Sequence, residues 1–86
     1  MEIEISSQFL RRVKKLTPSE QRNLSEKIEV FRKDPYDSQL KTHALRGRLR
    51  GLFAFSLNYS KRVIFTYIGK NKALLLDLGS HEEVYV

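Results

Sequence analysis

The 86-residue chain contains no cysteine, which excludes a disulfide framework, a thiol nucleophile and any thiolate–zinc site. It also lacks long apolar runs. Stretches such as Leu52-Phe53-Ala54-Phe55 end after four residues, far short of the ~20 a membrane-spanning helix needs. The start, Met1-Glu2-Ile3-Glu4, is acidic and unlike a signal peptide. A soluble cytoplasmic protein with no membrane partner is therefore expected. Glycine is sparse, and Gly47, Gly51, Gly69 and Gly79 follow no nucleotide-binding fingerprint. Asp77, Glu82 and Glu83 lack the spacing of metal ligands. No cofactor and no metal are expected. The length allows one small domain, residues 1–86, and excludes a two-domain enzyme with its own cofactor module.

Acidic residues are missing from one long region. Residues 38–76 hold Lys41, Arg46, Arg48, Arg50, Lys61, Arg62, Lys70 and Lys72 and no Asp or Glu, although the whole chain is only +6. A solvated basic face that aids solubility has the same composition. Segregation over almost half the chain favours a polyanion or an acidic protein partner, because each cation that meets a phosphate releases a condensed counterion.

Periodicity divides the chain into elements. Glu2-Ile3-Glu4-Ile5 alternates as a short half-buried strand does. Ser6-Ser7 can cap a helix whose inner face is Phe9, Leu10, Val13 and Leu16, with Arg11, Arg12, Lys14 and Lys15 mostly outside. Thr17-Pro18-Ser19-Glu20 reads as a capping box with proline at the first helical position. Leu24, Ile28 and Phe31 form the inner stripe of this second helix, and Asp34-Pro35 stops it. The short linker makes the two helices a hairpin. From about Lys41 the period becomes two. Leu45 and Leu49 alternate with Arg46, Arg48 and Arg50, and Phe53, Phe55, Leu57 and Tyr59 alternate with Ala54, Ser56 and Asn58. Asn58–Lys61 and Gly69–Lys72 read as turns, Arg62–Ile68 as a strand, and Ala73–Leu78 as a central strand. His81–Tyr85 forms a short tail. The predicted class is α+β: an N-terminal strand, an α-helical hairpin and a four-stranded, mostly antiparallel sheet.

The only histidines, His43 and His81, bracket the strand region. Imidazole titrates near physiological pH, so a pair can supply a base and an acid. Two unrelated surface imidazoles would be the commoner explanation of any such pair, but the basic stretch between them shifts the balance. Cleavage of RNA needs a base for the 2′-hydroxyl, cations for the charge that develops on phosphate, and an acid for the leaving 5′-oxygen. His43, Arg46, Arg48, Arg50, Arg62, His81 and Tyr85 supply these types. On a strand, Arg46, Arg48 and Arg50 would share one face and track a phosphate backbone, a task that suits the guanidinium fork; a solvated strand face has the same pattern. Arg62 opens an apolar strand, where it can serve phosphate or pair with Asp77, Glu82 or Glu83. Among the tyrosines, Tyr59 and Tyr67 read as core or rim. Tyr85, four residues after His81, can stack on a base, donate a proton or pin the C-terminus.

Taken in order, Phe9-Leu10-Arg11-Arg12-Val13-Lys14-Lys15-Leu16, Asp34-Pro35, His43-Ala44-Leu45-Arg46-Gly47, Arg62-Val63-Ile64-Phe65 and Leu78-Gly79-Ser80-His81-Glu82-Glu83-Val84-Tyr85 resemble the RelE/ParE superfamily of bacterial and archaeal type II toxins, and within it the YafQ-like mRNA interferases. The likeness covers essentially the whole chain. It implies a RelE-like fold and a toxin encoded beside an acidic, partly disordered antitoxin. It also implies entry into the ribosomal A site and metal-independent cleavage of mRNA there, by attack of the 2′-oxygen on the adjacent phosphate. By position, His43 and His81 match catalytic histidines, Tyr85 a C-terminal aromatic, and Arg62 a phosphate-binding arginine. Arg46, Arg48, Arg50 and Lys61 are the accompanying phosphate-binding candidates. The chain departs from the YafQ pattern at Ser56 and Ser60, where a histidine and an aspartate are expected. Two other readings compete: a ParE-like toxin that binds DNA gyrase, and a non-catalytic basic RNA-binding module.

Overall fold

The computed structural model describes residues 1–85. Its elements follow the predicted α+β order: β1 (Glu2–Ile5), α1 (Ser7–Val13), α2 (Pro18–Lys33), β2 (His43–Ala44), β3 (Phe53–Ser56), β4 (Lys61–Ile68), β5 (Lys72–Ser80) and a terminal turn of helix, α3 (His81–Val84). One mixed sheet runs β1-β5-β4-β3-β2, with β1 parallel to β5 and the remaining pairs antiparallel. β5 is the apolar run Ala73–Leu78 extended at both ends, and it lies between β1 and β4 as a central strand should.

Local chemistry sets the helix ends. Ser6 Oγ accepts from Phe9 N–H at 3.0 Å and donates to the Leu76 carbonyl at 2.8 Å, so one side chain caps α1 and ties it to β5. Thr17 and Glu20 form the expected capping box at the start of α2, with Pro18 just inside. α2 stops at Lys33 because Asp34, ahead of Pro35, is extended. α1 ends at Val13, earlier than its apolar spacing suggests. Leu16 is still buried, but from the linker rather than from the helix. Leu10, expected inside, is 45% exposed.

The sheet buries both of its faces, unequally. The helical hairpin covers one, where Phe9, Leu24 and Phe31 meet Phe55, Val63, Phe65 and Leu75. Phe31 sits at the centre, 4.9 Å from the Phe55 ring and 4.7 Å from that of Phe65, distances at which ring pairs add to area burial. The other face carries a small cluster, Ala54, Ile64 and Val84, flanked by Leu45, Leu52 and Tyr85. The predicted C-terminal tail is in fact α3, folded onto this second face against β4 and β5. Ser80 and Glu83 cap it reciprocally, each side chain taking the other's backbone N–H.

One predicted strand does not form. Residues Leu45–Arg50 were expected to alternate along a strand, but β2 stops at Ala44 and Gly47–Leu49 make a single 3-10 turn. Gly47 and Gly51 take positive φ angles of 65° and 94°, a region open to glycine and incompatible with a continuing strand. Tyr59 was expected in the core or at its rim and is fully exposed, because β3 ends at Ser56 and the chain turns.

Candidate active site

The second, lightly covered face carries the four candidate catalytic residues. Across an antiparallel ladder, residues directly opposite share a face. His43 lies opposite Ala54, Ala54 opposite Ile64, and Ser56 opposite Arg62, which in turn lies opposite Gly79. His43, Ser56 and Arg62 therefore rise from the face that holds Ala54, Ile64 and α3. His81 and Tyr85 belong to α3 and its end, and their rings meet edge to face with centroids 4.4 Å apart. Between β2 and the strands under α3 lie two to three strand spacings, roughly 10–15 Å at ~4.8 Å each, a gap that two side chains and a bound phosphodiester can bridge.

Each candidate group is held by a distinct local device. His43 Nδ1 donates to the Lys41 carbonyl at 3.1 Å. A carbonyl only accepts, so in the neutral ring Nδ1 carries the proton and Nε2 has a free lone pair. The carbonyl that fixes this tautomer belongs to a non-glycine residue at φ 53°, a sparsely populated conformation that surrounding bonds must maintain. Ser56 N–H, bonded to the Leu40 carbonyl at 2.7 Å, is one such bond.

Arg62 was a candidate either for phosphate or for a salt bridge to Asp77, Glu82 or Glu83. The structure gives Asp77 and Glu83 to a different residue. Arg62 Nη1 instead donates to the carbonyls of Asn58, Tyr59 and Lys61 at 3.2–3.4 Å. Its charge is oriented without being neutralised, since no carboxylate among the described residues pairs with it. The turn that supplies these carbonyls is rigid. Asn58 Oδ1 accepts from the backbone N–H of Ser60 and Lys61 at 3.0 and 2.9 Å, while Asn23 on α2 donates to the Leu57 carbonyl at 3.0 Å.

Tyr85 completes the group. Burial pushes its phenol above the ordinary value, and nearby Arg62 opposes the shift. Its hydroxyl oxygen is buried and has no hydrogen-bond partner among the described residues, so its donor is unspent.

Arg12, read from the sequence as facing outward, turns in. Its Nε lies 3.1 Å from Asp77 Oδ1 and its Nη1 3.1 Å from Glu83 Oε2. Beyond Leu75, β5 has no strand on its β1 side, and this open edge is where Arg12 reaches around to hold α3. Glu83 lies below the usual carboxylate range, chiefly through bonds to Ser80 and also through the Arg12 charge. The sequence signal was weak: Glu83 is visible as a capping partner, but an arginine 71 residues earlier is not. Gly79 lets α3 sit close to β5: a Cβ there would lie 2.8 Å from Glu83 Oε1 and 3.1 Å from Glu83 Cβ.

The remaining candidates divide. Arg46, Arg48 and Arg50 are exposed around the 3-10 turn rather than aligned on a strand face. Lys61 alternates with Arg62 and faces the helices, where its Nζ lies 2.9 Å from Glu20 Oε2. That contact, with the Thr17 backbone, brings Glu20 down to about 2. Ser56 stands beside Arg62, and Ser60 lies within the Asn58 turn. Among the described residues no three of His, Asp and Glu gather as a metal site, and no helix is long and apolar enough to cross a membrane.

Residues 3–86 match a family described as "ParE-like toxin of type II bacterial toxin-antitoxin system". No curated protein sequence matches the chain. Among solved structures, a YoeB/ParE toxin from Agrobacterium tumefaciens aligns with a TM-score of 0.81 at 12% identity, over 94% of this chain and 99% of the other. YafQ from E. coli strain BL21(DE3) aligns with a TM-score of 0.81 at 18% identity, over 99% and 98% of the two chains. The RelE–RelB complex from the archaeon Pyrococcus horikoshii OT3 aligns with a TM-score of 0.75 at 20% identity, over 92% of each. At these identities the structural matches speak for the fold alone. The family match over nearly the whole length carries the rest: the chain belongs to the ParE-like toxins of type II toxin–antitoxin systems, within the RelE/ParE superfamily.

Proposed function

We propose that this toxin is a ribosome-dependent mRNA endonuclease that works without a metal. The observation that carries the reading is the shared face: His43, Arg62, His81 and Tyr85 come from three separate segments and stand on the thinly covered side of one sheet. A module that only binds RNA has no need of paired imidazoles, one of them with its tautomer fixed.

In this mechanism His43 Nε2 takes the proton from a 2′-hydroxyl as that oxygen attacks the adjacent phosphorus. Arg62, already aimed by three carbonyls, stabilises the extra negative charge on the phosphoryl oxygens without reorganising. His81 gives a proton to the 5′-oxygen as the P–O bond breaks, which leaves a 2′,3′-cyclic phosphate and a 5′-hydroxyl. Tyr85 stays neutral at physiological pH, and its ring holds the His81 imidazole edge to face. The partner is an acidic antitoxin that covers Arg46, Arg48 and Arg50. Support comes from the basic stretch and from the RelE–RelB and YoeB–YefM complexes of other members of the fold.

His81→Ala tests the assignment directly, since His81 is exposed and its loss leaves the core intact. In a translation extract the parent is expected to cut mRNA and the variant to leave it whole, with the same circular dichroism. Equal cutting by the variant contradicts the role of His81. Growth arrest accompanied by DNA damage and intact mRNA points to gyrase instead.

A further inference from the structure

Beside the candidate catalytic face, at the β3–β4 turn end of the sheet, lies a cleft of about 340 Å³ of whose lining the mechanism above uses Arg62 alone. Lys27 of α2, Lys41 of the α2–β2 segment and Arg62 of β4 line it together with Ser56 and Tyr59. Three cations and no carboxylate line the space. Its volume falls at the lower end of the ~300–1,000 Å³ typical of small-ligand clefts. Tyr59, at the tip of the turn, is fully exposed, although the turn itself is fastened to α2 through Asn23 and through the Asn58 side chain, whose Nδ2 donates to Glu20. A rigid turn that presents a bare aromatic ring over a basic cleft is the arrangement that binds single-stranded nucleic acid, with phosphates on cations and a base on the ring.

We propose that this cleft is a subsite for a nucleotide of single-stranded RNA next to the scissile linkage, with its phosphate between Lys27 and Lys41 and its base against Tyr59. The proposal rests on the endonuclease reading and adds a positioning site to it. Arg62 belongs to both regions, lining the cleft and standing on the reactive face, so a strand seated in the cleft leads directly onto the site of attack. The Lys41 turn links them a second time. Its left-handed backbone sends the side chain to the cleft while its carbonyl fixes the His43 tautomer. The strain at a residue with a side chain is thereby explained by two tasks that one peptide performs. An acidic protein segment would satisfy the lysines but gives no reason for Tyr59 to stand bare above them.

The test uses the full-length toxin and a fluorescein-labelled RNA decamer carrying 2′-O-methyl groups, which binds without being cut. Binding is followed by anisotropy from low to moderate salt. The Lys27→Gln/Lys41→Gln double variant is expected to bind about tenfold more weakly, with the slope of log K against log salt reduced by ~0.7, the value for the one phosphate that the two lysines share. Tyr59→Ala is expected to lose about tenfold with an unchanged slope, as the loss of one stacked base requires. Because Tyr59 is fully exposed, this variant cannot fail through the core. Parental affinity and slope in both variants overturn the subsite, as does a parent toxin that does not bind the decamer. Loss of binding to a poly-glutamate peptide with RNA binding unchanged overturns it in favour of a protein occupant. None of these results depends on cleavage, so the subsite can fail while the His81→Ala result stands, and the reverse.

Discussion

Replacing Gly79 with alanine asks whether the docking of α3 is what arms the site. The added Cβ would lie 2.8 Å from Glu83 Oε1 and 3.1 Å from Glu83 Cβ. The carboxylate can swing aside, but it then gives up the Ser80 N–H, which it now accepts at 2.8 Å. The Cβ cannot swing, so α3 must lift by a few tenths of an ångström and carry His81 and Tyr85 with it. Overpacking of this kind costs ~1–3 kcal/mol. If that cost falls on docking alone, cleavage slows by about 5- to 150-fold. Gly69→Ala is the matched control. Gly69 has φ +65° and open space around its missing Cβ, so alanine strains the backbone by ~1–2 kcal/mol at the β4–β5 turn, the opposite end of β5 from α3. Both variants are expected to melt several degrees lower, and only Gly79→Ala to lose cleavage out of proportion to its melting temperature. The assay is the rate of mRNA cutting in a translation extract beside a thermal melt. Equal losses of activity in the two variants, or a parental rate in Gly79→Ala, would refute the claim that α3 seating limits the chemistry.

The Arg12 clasp and the Glu20–Lys61 pair give two further expectations. Arg12→Ala and Glu83→Gln should each slow cleavage by roughly 2- to 5-fold, and the double variant should be no slower than the worse of the two; additive losses would mean that the residues do not act through each other. Glu20 titrates at about 2 in the folded chain against an ordinary 4.5, so its contribution to stability is fully present above about pH 4.5 and is lost as pH falls toward 2. Parent and Glu20→Gln melting curves should accordingly differ at pH 7 and converge across that window, whereas a gap that does not change with pH would contradict the sign.

What could be read from the sequence was whatever local chemistry decides. The Thr17–Glu20 box and Asp34-Pro35 bound α2 within the chain's own few residues, and the run Ala73–Leu78 has the continuous apolar character of a strand with neighbours on both sides. The assignment of His43 and Arg62 to one face follows from ladder parity once the register is known, whereas His81 and Tyr85 join that face only because α3 folds onto Ala54 and Ile64. The misreadings lie where backbone geometry or distant charge overrides pattern. Leu45–Arg50 alternates perfectly, yet the positive φ angles of Gly47 and Gly51 turn it into a loop. Tyr59 continues the apolar phase of Phe53, Phe55 and Leu57, but the Asn58 side chain organises a turn one residue before it. Arg12 occupies a polar position of α1 and is drawn inward by two carboxylates contributed from the far end of the chain. None of these competing effects leaves a periodic trace.

The most direct measurement of the proposed cleavage places a single 2′-deoxynucleotide on the 5′ side of the linkage expected to be cut in a ribosome-bound mRNA. Attack by the 2′-oxygen predicts that this linkage survives while the all-ribose message is cut there, with a 2′,3′-cyclic phosphate on the upstream fragment. Cleavage of the deoxy-substituted linkage at the parental rate would contradict the assignment of base, acid and guanidinium made for this face.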